Sequence, residues 1–174
     1  QPLVWHGLVQ PDGEPGGAGW SLPGRHWLLA EGEALPESLV AAAALSPEQQ
    51  EQLRIHQGIP APGAELSEEY NPFELGLRQR VSLEKGCYLG QETLAKLHSR
   101  DGLKQQLRRF VVAAGAAAPE PGQQLRTATG ERAAVVTSLQ GDRGLLLLHR
   151  RCWDQSELAG LELSLPDAAA FDSH

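Results

Sequence analysis

RAAVVTSLQGDRGLLLLHR, residues 132–150, places two short apolar runs on either side of the glycine-containing turn QGDRG. Short runs rich in β-branched and aliphatic residues and bounded by Gly and Asp read as strands. The same pattern extends outward through LRRFVVAA (107–114), QQLRTAT (123–129) and LELSL (161–165), with APEPG (118–122) and TGE (129–131) as separators. Five or six short strands joined by such turns predict a small antiparallel barrel or sandwich, and a boundary near residue 103.

Upstream of that boundary the pattern is mixed, so the fold class expected is α+β. LVWHGLV (3–9) and HWLLA (26–30) read as strands of a hairpin or small sheet, and PDGEPGGAG (11–19) between them as turn or loop. PESLVAAAA (36–44) reads as a short helix with proline in its first turn. In SPEQQEQLRIHQG (46–58), Ser46 is an N-cap, Pro47 suits the first helical position, Gln49 completes a capping box and Gly58 ends the helix. Residues 59–80, broken by Pro60, Pro62, Gly63, Pro72 and Gly76, form a loop-rich crossing. GQETLAKLH (90–98) predicts a second helix with Thr93, Leu94 and Leu97 on one face, closed by the turn SRDG.

The chain has 174 residues, 41% hydrophobic and 21% charged, which is the composition of an ordinary globular protein of one or two domains. Its longest apolar stretch, Leu39 to Leu45, is far short of a membrane span of about 20 residues. Two cysteines without a CxxC and no signal-peptide pattern predict a reducing compartment, the cytoplasm or an organelle matrix. No methionine occurs, even at position 1, and QPLVWHGLVQ reads as the middle of a folded domain, so removal of upstream residues is expected. The net charge of −7 is segregated: between Arg78 and Arg109 eight basic side chains face three acidic ones. A basic face on an acidic protein suits a polyanionic small molecule or an acidic partner surface more than nucleic acid, with chance clustering on a solvated surface as the alternative. Trp5, Trp20, Trp27 and Trp153 lack the aromatic–basic alternation of a nucleic-acid platform and read as core.

LEKGCYLGQE, residues 83–92, sets Cys87 between Gly86 and Gly90, with Lys85 nearby. Glycines allow close backbone approach and a sharp turn into a helix. A cysteine just ahead of a helix N-terminus and beside a lysine is expected to be more acidic than usual, fit for a nucleophile, a redox group or a soft-metal ligand. The plain alternative is a small buried hydrophobe. There is no second cysteine at ligand spacing, no phosphate loop, no HxH and no HExxH, and one cysteine cannot hold zinc or an iron–sulfur cluster alone. His56, His98 or His149 could serve a Cys–His pair, but no spacing selects one. Cys152 in HRRCWD reads as a core or interface residue. Glu74 in NPFELGL could accept two parallel hydrogen bonds from the amidine-like edge of a pterin or guanine; otherwise it is a surface loop acid.

KGCYLGQE at 85–92, preceded by LRIHQGIP and NPFELGL and followed by the glycine-turn strands, resembles the YgfZ-type folate-binding proteins, relatives of the aminomethyltransferase T-protein. The resemblance implies a ring of three domains around a channel for a reduced folate, ending in a small β-barrel. On that basis residues 1–102 would be the later part of a T-protein-like α/β region and 103–174 the C-terminal antiparallel β-barrel, with roughly the first third or more of a usual family chain absent.

The resemblance also implies roles. Cys87 would be the functional thiol and a possible shared iron–sulfur ligand. Lys85, Gly86, Tyr88, Gly90, Gln91 and Glu92 would complete its motif. Glu74 would face the pterin of tetrahydrofolate, and Arg100 would be a further folate contact. The T-protein's catalytic aspartate would belong to the absent region, so no aminomethyl transfer is expected. Three functions stay open: a non-enzymatic factor for assembly or repair of iron–sulfur proteins, a folate-dependent one-carbon transferase, and a bare interaction module. The partners implied are iron–sulfur assembly proteins or client enzymes and a small-molecule folate, with no direct nucleic acid and no membrane. A transient shared iron–sulfur cluster is the second cofactor, and tRNA modification is a further association of the family.

Overall fold

A computed structural model describes residues 4–7, 19–22, 26–29, 45–100 and 102–166. Contacts divide the chain into two units, 1–45 and 46–174.

The first unit contains a three-stranded antiparallel sheet of β1 (Val4–Gly7), β2 (Gly19–Leu22) and β3 (His26–Leu29) in the order β1-β3-β2. The two apolar runs read from sequence are therefore partners, with Trp5 opposite Leu28. The third strand, GWSL, starts on the last glycine of the segment read as loop, a correction of one residue there. The helix expected over 36–44 lies outside the described residues.

In the second unit α1 (Pro47–Gln57) starts and stops as its caps dictate. Ser46 Oγ accepts from the Gln49 amide at 3.2 Å while Gln49 Oε1 accepts from the Ser46 amide at 2.9 Å. Gly58 ends the helix in the left-handed region at φ 71°, and a side chain there would also run into Pro166. Residues 59–77 cross without regular structure to a 3₁₀ turn at Arg78–Arg80, and α2 spans Gln91–Ser99. On α2, Leu94 and Leu97 are half-buried whereas Thr93 is exposed, so the shared face read from sequence holds only for the two leucines.

Six strands follow: β4 (Gln105–Val112), β5 (Gln124–Arg126), β6 (Arg132–Gln140), β7 (Arg143–His149), β8 (Glu157–Leu158) and β9 (Leu161–Ser164). All adjacent pairs are antiparallel, in the order β5-β6-β7-β4-β9-β8. The end strands β5 and β8 do not pair with each other among the described residues, so this is a curled half-barrel and not a closed ring. QGDRG becomes a two-residue hairpin turn: Gln140 pairs with Arg143, and Gly141 takes φ 65° at the first central position, as a type II′ turn requires.

Strand β7 sits in the middle of the sheet, and its unbroken Leu145–Leu148 run is buried on both faces. Leu146 and Leu148 join Phe110, Val136, Cys152 and Leu161 in one cluster. Leu145 and Leu147 join Ile55 of α1, Leu75 of the crossing and Leu107 of β4 in the other. Each such side chain contributes about 1.5–3 kcal/mol by leaving water, so the second cluster fastens residues 46–77 to the sheet.

A buried ionic group makes the same attachment directional. Glu65 is completely buried; its Oε1 accepts from Ser138 Oγ at 2.7 Å, and its Oε2 accepts from Arg54 Nη1 at 3.1 Å and the Ala61 amide at 3.0 Å. Arg54 also donates to Ser138 Oγ at 2.7 Å and to Glu51. Ser138 reaches this group beside a register shift in β6 between Val136 and Ser138, the kind of irregularity that re-aims a side chain.

Candidate functional site

The segment 81–90 leaves the 3₁₀ turn, runs mostly exposed and enters α2 through Gly90. Gly90 is the helix N-cap in the left-handed region, φ 86°, a conformation a glycine adopts without strain. No side-chain bond caps this helix end.

The loop is tied from within by its own motif residues. Tyr88 donates its hydroxyl to the Ser82 carbonyl at 2.8 Å, and the Lys85 amide donates to Ser82 Oγ at 3.1 Å. Gln91 Nε2 donates to the carbonyls of Leu83 at 3.0 Å and Lys85 at 3.1 Å, bridging the two ends of the loop. Lys85 Nζ lies 5.1 Å from the Tyr88 ring centroid, within cation–π range. Glu92 is spent on an ion pair one turn along α2, 2.6 Å from Lys96 Nζ. The conformation is thus fixed by Tyr88, Gln91 and Ser82, while Cys87 and Leu89 are left exposed at the surface. Among the described residues nothing lies within 4 Å of where a side chain at Gly86 would start, so none of them requires a glycine there.

Glu74 is buried, at 5% exposure, which rules out the surface-acid alternative. The crossing folds it inward: Asn71 Oδ1 accepts from the Phe73 and Glu74 amides, and the Glu74 carbonyl accepts from the Leu107 amide of β4 at 2.8 Å. Of its carboxylate, Oε2 accepts from the Asn71 amide at 3.3 Å and from Gln105 Nε2 at 3.4 Å, and Oε1 accepts no bond among the described residues. A free carboxylate oxygen on a buried, positioned side chain fits one half of the pterin-edge contact; the other oxygen is already occupied. An apolar cleft of about 330 Å³, lined by Leu66, Tyr70, Pro72, Leu75 and Leu77, opens in the same crossing, but Glu74 does not line it. Burial, followed by the charges of Glu69 and Glu65, pushes the Tyr70 phenol upward.

The predicted site residues fall into two groups. Lys85 to Glu92 form one tied loop and helix start. Glu74 belongs to the neighbouring crossing, whose Phe73 ring packs 6.2 Å from His98 of α2 and lies under Arg78 at 5.4 Å. Arg100 is exposed at the C-cap of α2 and makes no ion pair with Glu74 among the described residues. Ser82, which anchors the loop from both its hydroxyl and its carbonyl, was not legible as a site residue, since nothing in its spacing separates it from other loop serines. No three His, Cys, Asp or Glu side chains group at metal-binding distance among the described residues, and no helix there is long and apolar enough to cross a membrane.

An α+β chain with an antiparallel half-barrel and a tied KGCYLGQE loop fits the class of T-protein-like proteins. Comparison with known proteins agrees. A chloroplast protein of Arabidopsis thaliana named as a transferase is 45% identical over 116 residues, 67% of this chain and 24% of its own. The human mitochondrial iron–sulfur cluster assembly factor IBA57 is 32% identical over 133 residues, 67% of this chain and 36% of its own. The tRNA-modifying protein YgfZ of Cronobacter sakazakii is 31% identical over 101 residues, 55% of this chain and 30% of its own. No protein-family model matches the chain. The chain belongs to the YgfZ/T-protein-like family, and it spans about a quarter to a third of the length of these relatives.

Proposed function

We propose that the chain is part of a folate-linked accessory factor for the assembly or repair of iron–sulfur proteins, acting through Cys87. The observation that carries this reading is a solvent-exposed thiol on a loop tied by Tyr88, Gln91 and Ser82, with no group of three or more His, Cys, Asp or Glu side chains at metal-binding distance among the described residues. Such a thiol, once deprotonated, offers one lone pair to an iron and leaves the remaining coordination to a partner. Among the described residues nothing crowds Gly86, which leaves room for that partner's backbone to approach. The names of the human and Cronobacter relatives, an iron–sulfur assembly factor and a tRNA-modifying protein, support the same direction.

In the whole protein, residues 1–102 would be the trailing part of the T-protein-like region and 103–174 the C-terminal barrel domain, completed by strands or segments outside the half-barrel described above. Tetrahydrofolate would meet Glu74 Oε1, with Arg100 contributing charge from the end of α2. The compartment would be the cytoplasm, or an organelle matrix in a eukaryote, as the chloroplast and mitochondrial names of two relatives support.

A second reading, a folate-dependent one-carbon transferase, is favoured by the unfilled Glu74 oxygen and by the transferase name of the Arabidopsis relative. Calorimetry with tetrahydrofolate followed by a turnover assay with a methylamine donor separates the two. Binding without turnover supports the accessory role; turnover that survives Cys87→Ser refutes it.

A further inference from the structure

Leu89, the residue before the N-cap of α2, is fully exposed at 103%. The other exposed large apolar side chains among the described residues, Leu45, Leu53, Ile59, Leu66 and Leu165, stand at 39–48%, so each still rests more than half of its surface on the protein. Partly covered apolar residues of that kind are ordinary on a surface. Leu89 differs: it joins neither buried cluster and does not line the cleft beside Tyr70.

Its position is set by a held backbone. On one side Tyr88 is fixed by its hydroxyl on the Ser82 carbonyl at 2.8 Å, and its carbonyl accepts from the Gln91 amide at 3.2 Å. On the other, the Gly90 carbonyl accepts from the Leu94 amide at 3.0 Å, the first bond of α2. Tyr88 is half-buried, while its two neighbours, Cys87 and Leu89, are exposed. Residues two apart have Cα atoms at most about 7 Å from each other, so a surface that meets the thiol meets the leucine as well. An apolar side chain presented on a held loop is received with little ordering cost.

Charge narrows what such a surface is. Over residues 78–100 five basic side chains stand against two acidic ones, and one of those acids, Glu92, is paired with Lys96. Lys85 is exposed two residues before Cys87, its Nζ 5.1 Å from the Tyr88 ring centroid. A complementary partner surface is acidic around an apolar centre.

We propose that Leu89 is the anchor by which the Cys87 loop docks on its partner, a protein that presents an apolar pocket of leucine size with acidic side chains at its rim. The proposal rests on the reading of Cys87 as the acting thiol. Seating the leucine fixes where the thiol stands against the partner, and Lys85 meets the acidic rim.

The test uses the whole protein in cells lacking the native gene, at matched protein levels, with a cluster-dependent enzyme activity as the readout. Melting temperature and the rate of Cys87 with a small disulfide reagent are measured on the purified variants. Leu89→Asp is expected to restore less than about a tenth of the wild-type activity. Leu89→Ile is expected to restore it, and both variants keep the wild-type melting temperature and thiol rate. Lys85→Glu lowers the rescue and Lys85→Arg recovers it; full rescue by Lys85→Glu overturns the acidic rim. Full rescue by Leu89→Asp overturns the anchor. So does a lower melting temperature in Leu89→Asp, which sets the leucine against the protein's own chain, or a wild-type dimer that Leu89→Asp dissociates, which makes a second copy the occupant. Cys87→Ser, run alongside, keeps the two readings apart. Its full rescue removes the role of the thiol, whereas its failure together with full rescue by Leu89→Asp removes the anchor alone.

Discussion

The side-chain amide of Gln91, on the first turn of α2, reaches back across the motif to the Lys85 carbonyl at 3.1 Å and the Leu83 carbonyl at 3.0 Å. With the Tyr88 and Ser82 bonds, this residue holds the segment around Cys87 as a defined surface. Replacing Gln91 with Ala removes both bonds, at a cost of about 1–2 kcal/mol locally. Amide hydrogen exchange over 83–90 should rise several-fold while exchange in β6 and β7 stays as in the wild type. Unchanged protection of the loop would show that Tyr88 and Ser82 suffice.

The two thiols occupy opposite environments. Cys87 is exposed, whereas Cys152 is buried in the sheet core, where desolvation pushes its thiol up. A disulfide reagent under native conditions should titrate one thiol promptly, and Cys87→Ser should abolish that fast phase. The second thiol should react only as fast as the half-barrel opens.

Removing Glu65 leaves Arg54 partly buried beside Ser138 without its deepest counter-charge. Glu65→Ala should lower unfolding free energy by about 3–5 kcal/mol in denaturant titrations, and Ser138→Ala by about 1–2 kcal/mol. A loss below about 1 kcal/mol for Glu65→Ala would mean that the apolar cluster alone fastens residues 46–77 to the sheet.

His149 at the end of β7 is pulled below the ordinary histidine value of 6.5, first by desolvation and then by Arg151 and Arg132, with Glu131 opposing. Its Nδ1 accepts from Arg151, which requires the neutral ring. With the folded value depressed, the unfolded chain binds more protons in the interval. The stability contribution is complete above about 6.5 and is lost as pH falls through the folded value. Imidazole NMR should place its midpoint below 6.5, and Arg132→Gln should move it upward. In His149→Gln, thermal stability should fall less between neutral and acid pH than in the wild type.

Much of the fold is legible in local sequence because it is decided locally. The Ser46–Gln49 capping box, Gly58 and the QGDRG turn each carry their own instructions, and the four consecutive leucines at 145–148 signal a strand covered on both faces. Glu65 is different. It shares the stretch GAELSEEY with Glu68 and Glu69, and only its meeting with Arg54, 11 residues away, and Ser138, 73 residues away, selects it for burial. Strand β8, two residues long, is too short to carry a pattern. At the site, the motif identifies Cys87 and its neighbours, but the division of labour within it follows from bonds to backbone carbonyls, which residue types do not reveal. The same holds for Glu74, whose burial comes from docking its loop on β4.

The central claim is that Cys87 acts and that its loop exists to present it. The most direct test is rescue of a cluster-dependent enzyme activity in cells lacking the native gene, comparing the whole protein with its Cys87→Ser and Cys152→Ser variants at matched protein levels. The account predicts that Cys87→Ser fails to restore activity while Cys152→Ser restores it. Full rescue by Cys87→Ser would contradict it.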